Sequence, residues 1–509
     1  MRNGERPSLE RQLLSNQIWE TVGFMAKAAF VLGLTPWMIR TWGAQGYGEF
    51  ALASSAFVLL SLVDLGIRAR TRVALCAAGE KNRAQWLDIL AHSAFTFVVI
   101  GALTIGASLF LTATGVVNSV FKISASDRNL LFVTTTMSIL VMVSGLLLEP
   151  LVAMGRIGRL KLATAAGWLC AIPAVALALA ARKSVIAAVA VWLGCLLGAN
   201  VVLLLLHRGI LQRRGLPNRL EFGRLIAPIR EGFWFNISTA AWTAKTYGAT
   251  LVIFGLDGAA AAGTFFILLR LSEIISALGA ISCDVSLGEL AQASSVERRL
   301  AAFKSSYSWA TVLCVHLAVL VGFVTKDFYQ SWLHSPAAVP GYAGALAAVL
   351  GLSSGFNRKS AYAAMGLGLA KLAAKCGLAE AICFLGAIAL LPSSFELWGR
   401  VAIASGAVVA LWPMITTISR QLGTTPKVAF LRPLASIVPF VASSGLLLLG
   451  ANMTGGTLTK GFALAVAVAL MLFNITRQYR IAAAQTRHSS APISCSGESA
   501  VLVGYCRAE

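Results

Sequence analysis

Residues 18–40 read IWETVGFMAKAAFVLGLTPWMIR, a stretch dominated by apolar side chains. A helix of roughly 20 residues crosses the hydrocarbon core of a bilayer, so this stretch predicts a transmembrane helix. Further apolar stretches of similar length follow it at residues 46–66, 89–112, 129–152, 162–181, 184–206, 233–255, 260–282, 306–325, 341–365, 372–391, 397–419, 432–451 and 459–475. The sequence therefore predicts an all-α polytopic membrane protein with about 14 transmembrane helices.

The composition excludes an ordinary water-soluble domain. Hydrophobic residues make up 57% of the 509 residues, charged residues only 12%, and the mean hydropathy is +0.77. The net charge of +21 does not predict a nucleic-acid partner, because the basic residues are spread over many loops, where they meet anionic lipid head groups. No phosphate-binding G-x-x-x-x-G-K-[ST] loop, CxxC pair or regular histidine spacing occurs. We therefore expect no cofactor, no metal site and no catalytic residue.

Charge on the loops predicts the orientation of the chain. If the N-terminus is cytosolic, 28 lysines and arginines fall in cytosolic segments and 7 in segments on the other side. Basic residues resist translocation, so both termini of this multi-pass protein are expected in the cytosol.

The two halves of the sequence resemble one another at a spacing near 215 residues. Residues 25–27 (MAK) match 243–245 (TAK), and the run 75–83 matches 290–298. Matched spans are six apart, which predicts parallel repeats of six helices. The expected domains are an N-terminal cytosolic segment, a six-helix bundle, a basic linker, a second six-helix bundle, two added helices and a cytosolic tail, at residues 1–17, 18–206, 207–232, 233–419, 420–475 and 476–509. Chance similarity between apolar helices is the alternative explanation.

Several short motifs near the N-terminus resemble a known family. They are Leu14–Asn16, Gly43 with Gly46–Phe50, Asp64–Gly66 and the basic segment up to Trp86. These residues are similar to the signature of polysaccharide flippases of the O-antigen and exopolysaccharide type, in the multidrug/oligosaccharidyl-lipid/polysaccharide exporter (MOP) superfamily. The resemblance implies a translocase that moves an undecaprenyl-diphosphate-linked oligosaccharide from the cytosolic to the outer leaflet of a bacterial inner membrane, which is then the expected location of the protein. Membrane lipids and other polysaccharide assembly proteins are the partners it implies.

Three cations near span centres are candidate substrate-binding residues, namely Lys27, Lys245 and Arg270. A central lysine or arginine raises the free energy of insertion by about 2.5 to 3.5 kcal/mol, so these side chains are expected to face water or a partner inside the bundle. Because Lys27 and Lys245 lie at matching places in the repeat, we predict a shared cationic cavity. Arg270 has an alternative role, because Glu273 lies one turn away and can neutralise it.

Two further features of the spans leave more than one interpretation open. Glu380 lies near the centre of its span without a basic residue one turn away, so it either pairs with a cation on another helix or, like Glu273, takes part in ion coupling. Pro36 removes a backbone hydrogen bond from the first span and is a candidate hinge.

Two other function classes stay open at this point. A cation-coupled multidrug antiporter of the same superfamily would need unpaired acids at the membrane centre, and Glu380 alone meets that need. A membrane-embedded polysaccharide polymerase or glycosyltransferase is less favoured, because the predicted outer loops are short.

Overall fold

The structure is a computed structural model that describes most of residues 9–474. Within that range the residues not described are 66, 69–70, 72–74, 76–82, 115–124, 154–156, 208–232, 235, 281–289, 291–294, 334–341, 392–395, 432–437, 455–461 and 471–472. The predicted basic linker after residue 207 and the predicted tail at 476–509 lie outside the described residues. The predicted N-terminal segment is described from Leu9, where the first helix already begins.

The described chain is built from α-helices. They are α1 (Leu9–Leu60), α2 (Arg83–Ala113), α3 (Ala125–Leu146), α4 (Glu149–Ala153), α5 (Ile157–Ala180), α6 (Val185–Leu206), α7 (Ala249–Ala280), α8 (Val296–Leu333), α9 (Ala343–Gly366), α10 (Ala370–Leu390), α11 (Leu397–Ser405), α12 (Trp412–Gln421) and α13 (Val438–Thr454). Short π-helices lie at Ala244–Gly248 and Lys427–Leu431, and 3-10 helices at Ser61–Asp64 and Gly406–Leu411. Residues 237–243 and 462–470 are also helical.

Eight helical segments of the described chain are long and apolar enough to cross a membrane. Two of them, Met25–Asp64 and Asn236–Ala277, have 40 and 42 residues, and each covers most of two predicted spans. Shorter apolar helices at Cys314–Phe323 and Val438–Leu448 fall in two more. The all-α membrane class is confirmed, whereas the count of 14 spans stays a prediction.

The chain divides into two compact units. Unit 1 comprises Met1–Asn236 and Tyr247–Gly263, and unit 2 comprises Ile237–Thr246 and Thr264–Glu509. In unit 1, α1 packs on α5, and α6 packs on α3 and α5. Unit 2 is organised around the packing of α8 on α9 and of α10 on α11.

Each unit has an aromatic core. In unit 1, Phe30 and Phe50 of α1 pack with Trp168 of α5 and Trp192 of α6, and the centroids of the Phe30 and Trp168 rings are 5.2 Å apart. In unit 2, the Tyr307 ring of α8 lies 5.0 Å from Phe430, within a cluster of buried apolar side chains. Burial of such large apolar surfaces stabilises each unit.

Glycines place matching kinks in the two longest apolar segments. Gly43 in α1 has φ 71° and ψ −177°, and Gly258 in α7 has φ 86° and ψ 177°. Positive φ is easily reached only by glycine, so both positions require it. The kinks are 215 residues apart, and both begin the pattern G-A-x-x-x-G-x-F, at residues 43–50 and 258–265. This shared backbone geometry supports the duplication predicted from the sequence.

The two copies of this pattern also pack against each other within unit 1. A Cβ atom on Gly48 would overlap the carbonyl oxygen of Ala259, and one on Gly263 would lie 3.2 Å from the carbonyl oxygen of Ala44. Ala44 and Ala259 are themselves equivalent in the repeat. Each copy therefore presents its glycine to the alanine of the other, as expected of a local pseudo-twofold axis.

The kinks also define which residues of the two copies correspond. At a spacing of 215, Gly33 and Thr35 match Gly248 and Thr250, and Lys245 corresponds to Phe30. The matching of Lys27 with Lys245 used a spacing of 218, which differs by three residues. The kink geometry therefore does not support treating the two lysines as equivalent positions.

Candidate functional site

The candidate site of unit 2 is built around Lys245, which lies in the π-helix Ala244–Gly248. Single-turn π segments within α-helices often mark functional positions, because the extra residue re-aims side chains. The Lys245 side chain is only 3% exposed, and its Nζ atom lies 2.5 Å from Oε1 of Glu380 on α10. The two membrane-embedded charges thus form a buried ion pair.

Asn357 of α9 completes the environment of this pair. Its side-chain amide donates a hydrogen bond to Oε2 of Glu380, so both carboxylate oxygens have a donor. The Phe384 ring centre lies 5.5 Å from the Lys245 ammonium, a cation–π contact. We call Lys245, Glu380 and Asn357 the buried triad. It joins three helical segments through one fully enclosed carboxylate.

Small residues allow these segments to approach closely. A Cβ atom on Gly351 would lie 2.7 Å from Cβ of Ile275 in α7, so only glycine fits at this point of α9. Gly377 of α10 faces Ala241, with 3.5 Å between its would-be Cβ and that of Ala241. The contact between Gly377 and Ala241 brings α10, which carries Glu380, close to the segment that carries Lys245.

Arg270 and Glu273 form a second ion pair on a single face of α7. Arg270 donates from NH1 to Oε2 of Glu273 over 2.5 Å, and the guanidinium lies 4.1 Å from the centre of the Phe266 ring. Both side chains are mostly buried. Glu273, the partner that the sequence suggested for Arg270 one turn away, is therefore bonded to Arg270 in the structure.

The other predicted site residues lie on α1 in unit 1. Lys27 is partly buried there, whereas Lys245, Arg270, Glu273 and Glu380 all belong to unit 2. Pro36 lies within α1, and the non-helical backbone angles of that helix fall at Gly43 instead. The structure thus brings together two pairs of the predicted residues, and the cavity shared by Lys27 and Lys245 stays a prediction.

Sequence reasoning did not single out Asn357, Arg358 or Lys359. The run N-R-K interrupts an otherwise apolar span, and that interruption was the available signal. Lys359 is buried, with its Nζ atom 5.6 Å from the Tyr307 ring centre, and Arg358 is partly buried between aromatic rings. The triad itself could not be found by looking one turn along each helix, because its members are on different helices.

Unit 1 holds an ion pair of a different kind. Arg68 donates from Nε and NH2 to one oxygen of Glu149, at 3.2 and 3.0 Å, and its backbone N–H binds Asp64. The Glu149 side chain is fully buried. These residues lie at span ends predicted to be cytosolic, so the pair ties helix ends together.

Among the described residues, no group of His, Cys, Asp or Glu side chains could hold a metal ion.

Solved structures of membrane transporters have this fold. The lipid II flippase MurJ, in an inward closed conformation, matches with a TM-score of 0.64 and 13% identity, over 93% of this chain and 99% of the flippase chain. An inward-facing multidrug resistance MATE family transporter of the MOP superfamily matches with a TM-score of 0.58 and 16% identity, over 81% of this chain and 99% of the other.

A MOP superfamily transporter from Pyrococcus furiosus, described as having a binding pocket of reversed polarity, matches with a TM-score of 0.51 and 12% identity, over 81% and 96% of the two chains. No protein-family model matches the sequence, and neither does any curated protein. At these identities the likeness shows the fold alone, which this chain shares with these solved transporters. The fold expected from the N-terminal motifs is confirmed.

Proposed function

We propose that the chain is a flippase that moves an undecaprenyl-diphosphate-linked oligosaccharide from the cytosolic to the outer leaflet of the bacterial inner membrane, for surface polysaccharide biosynthesis. The fold supports a transporter, and the alternating access of its two repeats would carry the substrate. The positive bias of the predicted cytosolic segments supports an orientation with both termini inside. Membrane lipids and polysaccharide assembly proteins would be its partners.

The balance of buried charge in unit 2 carries this proposal. Four cationic side chains are buried there, Lys245, Arg270, Lys359 and Arg400, and among the described residues of unit 2 two carboxylates, Glu380 and the mostly buried Glu273, pair with the first two. The charged groups that unit 2 holds away from solvent are thus mainly cationic, which suits an anionic substrate better than a cationic one. A diphosphate that crosses a region of low dielectric is such an anionic substrate, and Lys27 of unit 1 would add to the cationic surface.

The membrane potential would assist this direction of transport. With the cytosol negative, moving an anion outward is favourable by about 2.3 kcal/mol per charge per 100 mV. A diphosphate substrate would therefore need little additional driving force.

The extent of the structural likeness also supports the flippase. The match to the lipid II flippase covers 93% of this chain and the match to the MATE transporter 81%. The difference is about 60 residues, enough for two membrane helices and their connection. The two helices predicted at 420–475 account for a segment of that size.

A cation-coupled multidrug antiporter is the second candidate, since MATE structures share the fold. Cationic drugs and coupling ions need available carboxylates. Glu380 has both oxygens occupied and Glu273 binds Arg270, which favours the anionic substrate.

Transport by the purified protein in lipid vesicles tests the proposal. A fluorescent undecaprenyl-diphosphate-linked oligosaccharide on one leaflet should reach the other much faster than in protein-free vesicles. A triple variant that removes the charges (Lys27→Gln, Lys245→Gln and Glu380→Gln) should lose this activity. Lys375→Gln, which removes an exposed cation of α10, is the control and should keep it. Uptake of a cationic dye driven by a sodium or proton gradient, without movement of the lipid, would contradict the proposal.

Pro36→Ala tests the hinge separately, since unchanged flipping would remove Pro36 from the mechanism.

A further inference from the structure

Arg358 differs from the other membrane cations of unit 2 in its surroundings. It lies on α9 directly after Asn357 of the buried triad, and its side chain is partly buried. Its guanidinium lies 5.4 Å from the ring centre of Trp242 and 6.0 Å from that of Tyr362. Within the described part of the chain, no carboxylate lies within ion-pair distance of Arg358, and its guanidinium makes no hydrogen bond.

This arrangement leaves the planar donors of Arg358 available. A guanidinium carries five N–H donors in its plane, and the cation–π contacts with Trp242 and Tyr362 leave all of them unused. An uncompensated arginine within a membrane helix is costly, and Arg358 lies about one turn from the centre of α9. Lys245 and Arg270 offset that cost with Glu380 and Glu273, and Arg358 has no such partner among the described residues.

We infer that Arg358, Trp242 and Tyr362 form a subsite for the junction between the diphosphate and the first sugar of the lipid-linked substrate. The guanidinium fork binds two phosphate oxygens at once, which a lysine cannot do. Trp242 and Tyr362 supply aromatic faces with polar edges, which suit the apolar face of a sugar ring and its hydroxyls. The inference rests on the proposed flippase function and assigns the group within unit 2 that recognises the substrate.

The position of the subsite connects it to the buried triad. Trp242 lies three residues before Lys245 on the same helical segment, and Arg358 follows Asn357 on α9. A ligand that contacts both Trp242 and Arg358 would therefore bridge two of the three segments that the triad joins. Substrate recognition and the packing around the π-helix would then be coupled through the same elements.

Binding and flipping of defined probes test this subsite. The probes are a polyprenyl-diphosphate-linked disaccharide, the same polyprenyl diphosphate without sugar, and an uncharged polyprenyl disaccharide. Arg358→Gln should weaken binding of both diphosphates by about 10- to 100-fold, the loss expected for charge-assisted hydrogen bonds. It should leave binding of the uncharged probe unchanged, and Arg358→Lys should restore part of the affinity. Trp242→Ala should weaken binding of the sugar-bearing diphosphate and spare the sugar-free one, while Trp242→Phe restores it.

The outcomes separate the two proposals. Lys375→Gln serves as the control for loss of a cation from a helix of the same unit. Suppose that the wild-type protein flips the disaccharide probe, and that Arg358→Gln binds and flips it with the same half-saturating probe concentration. The assignment of the subsite is then wrong, and the flippase function stands. If the folded wild-type protein neither binds nor flips the probe, the flippase function fails and the subsite falls with it. A tenfold or greater loss confined to the diphosphate probes supports both.

Discussion

The two units bury different chemistry at corresponding positions of one repeated framework. At the spacing defined by the kink glycines, Phe30 of unit 1 corresponds to Lys245 of unit 2, and Ser55 corresponds to Arg270. Phe30 is 1% exposed and packs among Trp168 and Trp192. Lys245 is equally enclosed but forms an ion pair with Glu380.

This contrast shows that the fold does not require charge at these positions. The same helical framework accepts an aromatic side chain in one copy and a lysine in the other, and burial is what both copies share. A buried ion pair is weak evidence for stability, because an apolar replacement of the pair is often neutral or stabilising. Stability alone therefore does not account for the charges of unit 2, and the proposed flippase function offers a role for them.

The largest effect is expected when one charge of the triad is removed. Lys245→Met leaves the buried Glu380 carboxylate without its cation, and such uncompensated charges cost about 3 to 5 kcal/mol. The corresponding Phe30→Leu variant keeps an apolar side chain and should cost about 1 kcal/mol. The free energy of unfolding of each purified variant, measured in mixed micelles by circular dichroism, compares the two.

The paired variant provides the control for this prediction. Lys245→Met with Glu380→Gln removes both charges and should recover most of the lost stability. If the paired variant is as unstable as Lys245→Met alone, the shape of Lys245 and not its charge determines packing. The contrast between the two units would then be one of volume.

A smaller effect is expected where the two copies touch. Gly48→Ala places a Cβ atom against the Ala259 backbone and forces a backbone shift, for an expected cost of about 1 to 3 kcal/mol. Gly263→Ala meets atoms at 3.1 Å or more and should cost less. Gly33→Ala has nothing within 4 Å of the added atom and serves as the control. Equal melting temperatures for Gly48→Ala and Gly33→Ala would contradict the reciprocal packing of the two copies.

The sequence was a good guide to the helices and a partial guide to the site. Apolar runs of about 20 residues are a strong signal, because every lipid-facing backbone group must be bonded within its own helix. Arg270 and Glu273 were recognisable as a pair because they lie one turn apart on α7. The partner of Glu380 was not recognisable, since Lys245 is 135 residues away and meets it only through the packing of two helical segments.

The correspondence of Lys27 and Lys245 shows why short matches are unreliable. Aligning lysine with lysine required a spacing of 218, whereas the kink glycines and their G-A-x-x-x-G-x-F pattern give 215. Three residues rotate a helical position by about 300° and move it about 4.5 Å along the axis. The kink geometry selects the spacing of 215, which the match of 75–83 with 290–298 also has, over the spacing of 218.

The smallest effect on stability is expected at Lys27. It is only partly buried and corresponds to Trp242, not to the enclosed Lys245, in the spacing of the kinks. Lys27→Gln should therefore change the free energy of unfolding by no more than about 1 kcal/mol, as for partly exposed charges elsewhere. The same micelle measurement as for Lys245→Met gives the comparison. A loss of 3 kcal/mol or more would show that Lys27 has a buried ionic role like that of Lys245, and the two units would then be alike in the chemistry of their interiors. A small loss of stability combined with slower flipping would instead mark Lys27 as a residue kept for the substrate, since its removal would then affect transport without affecting the fold.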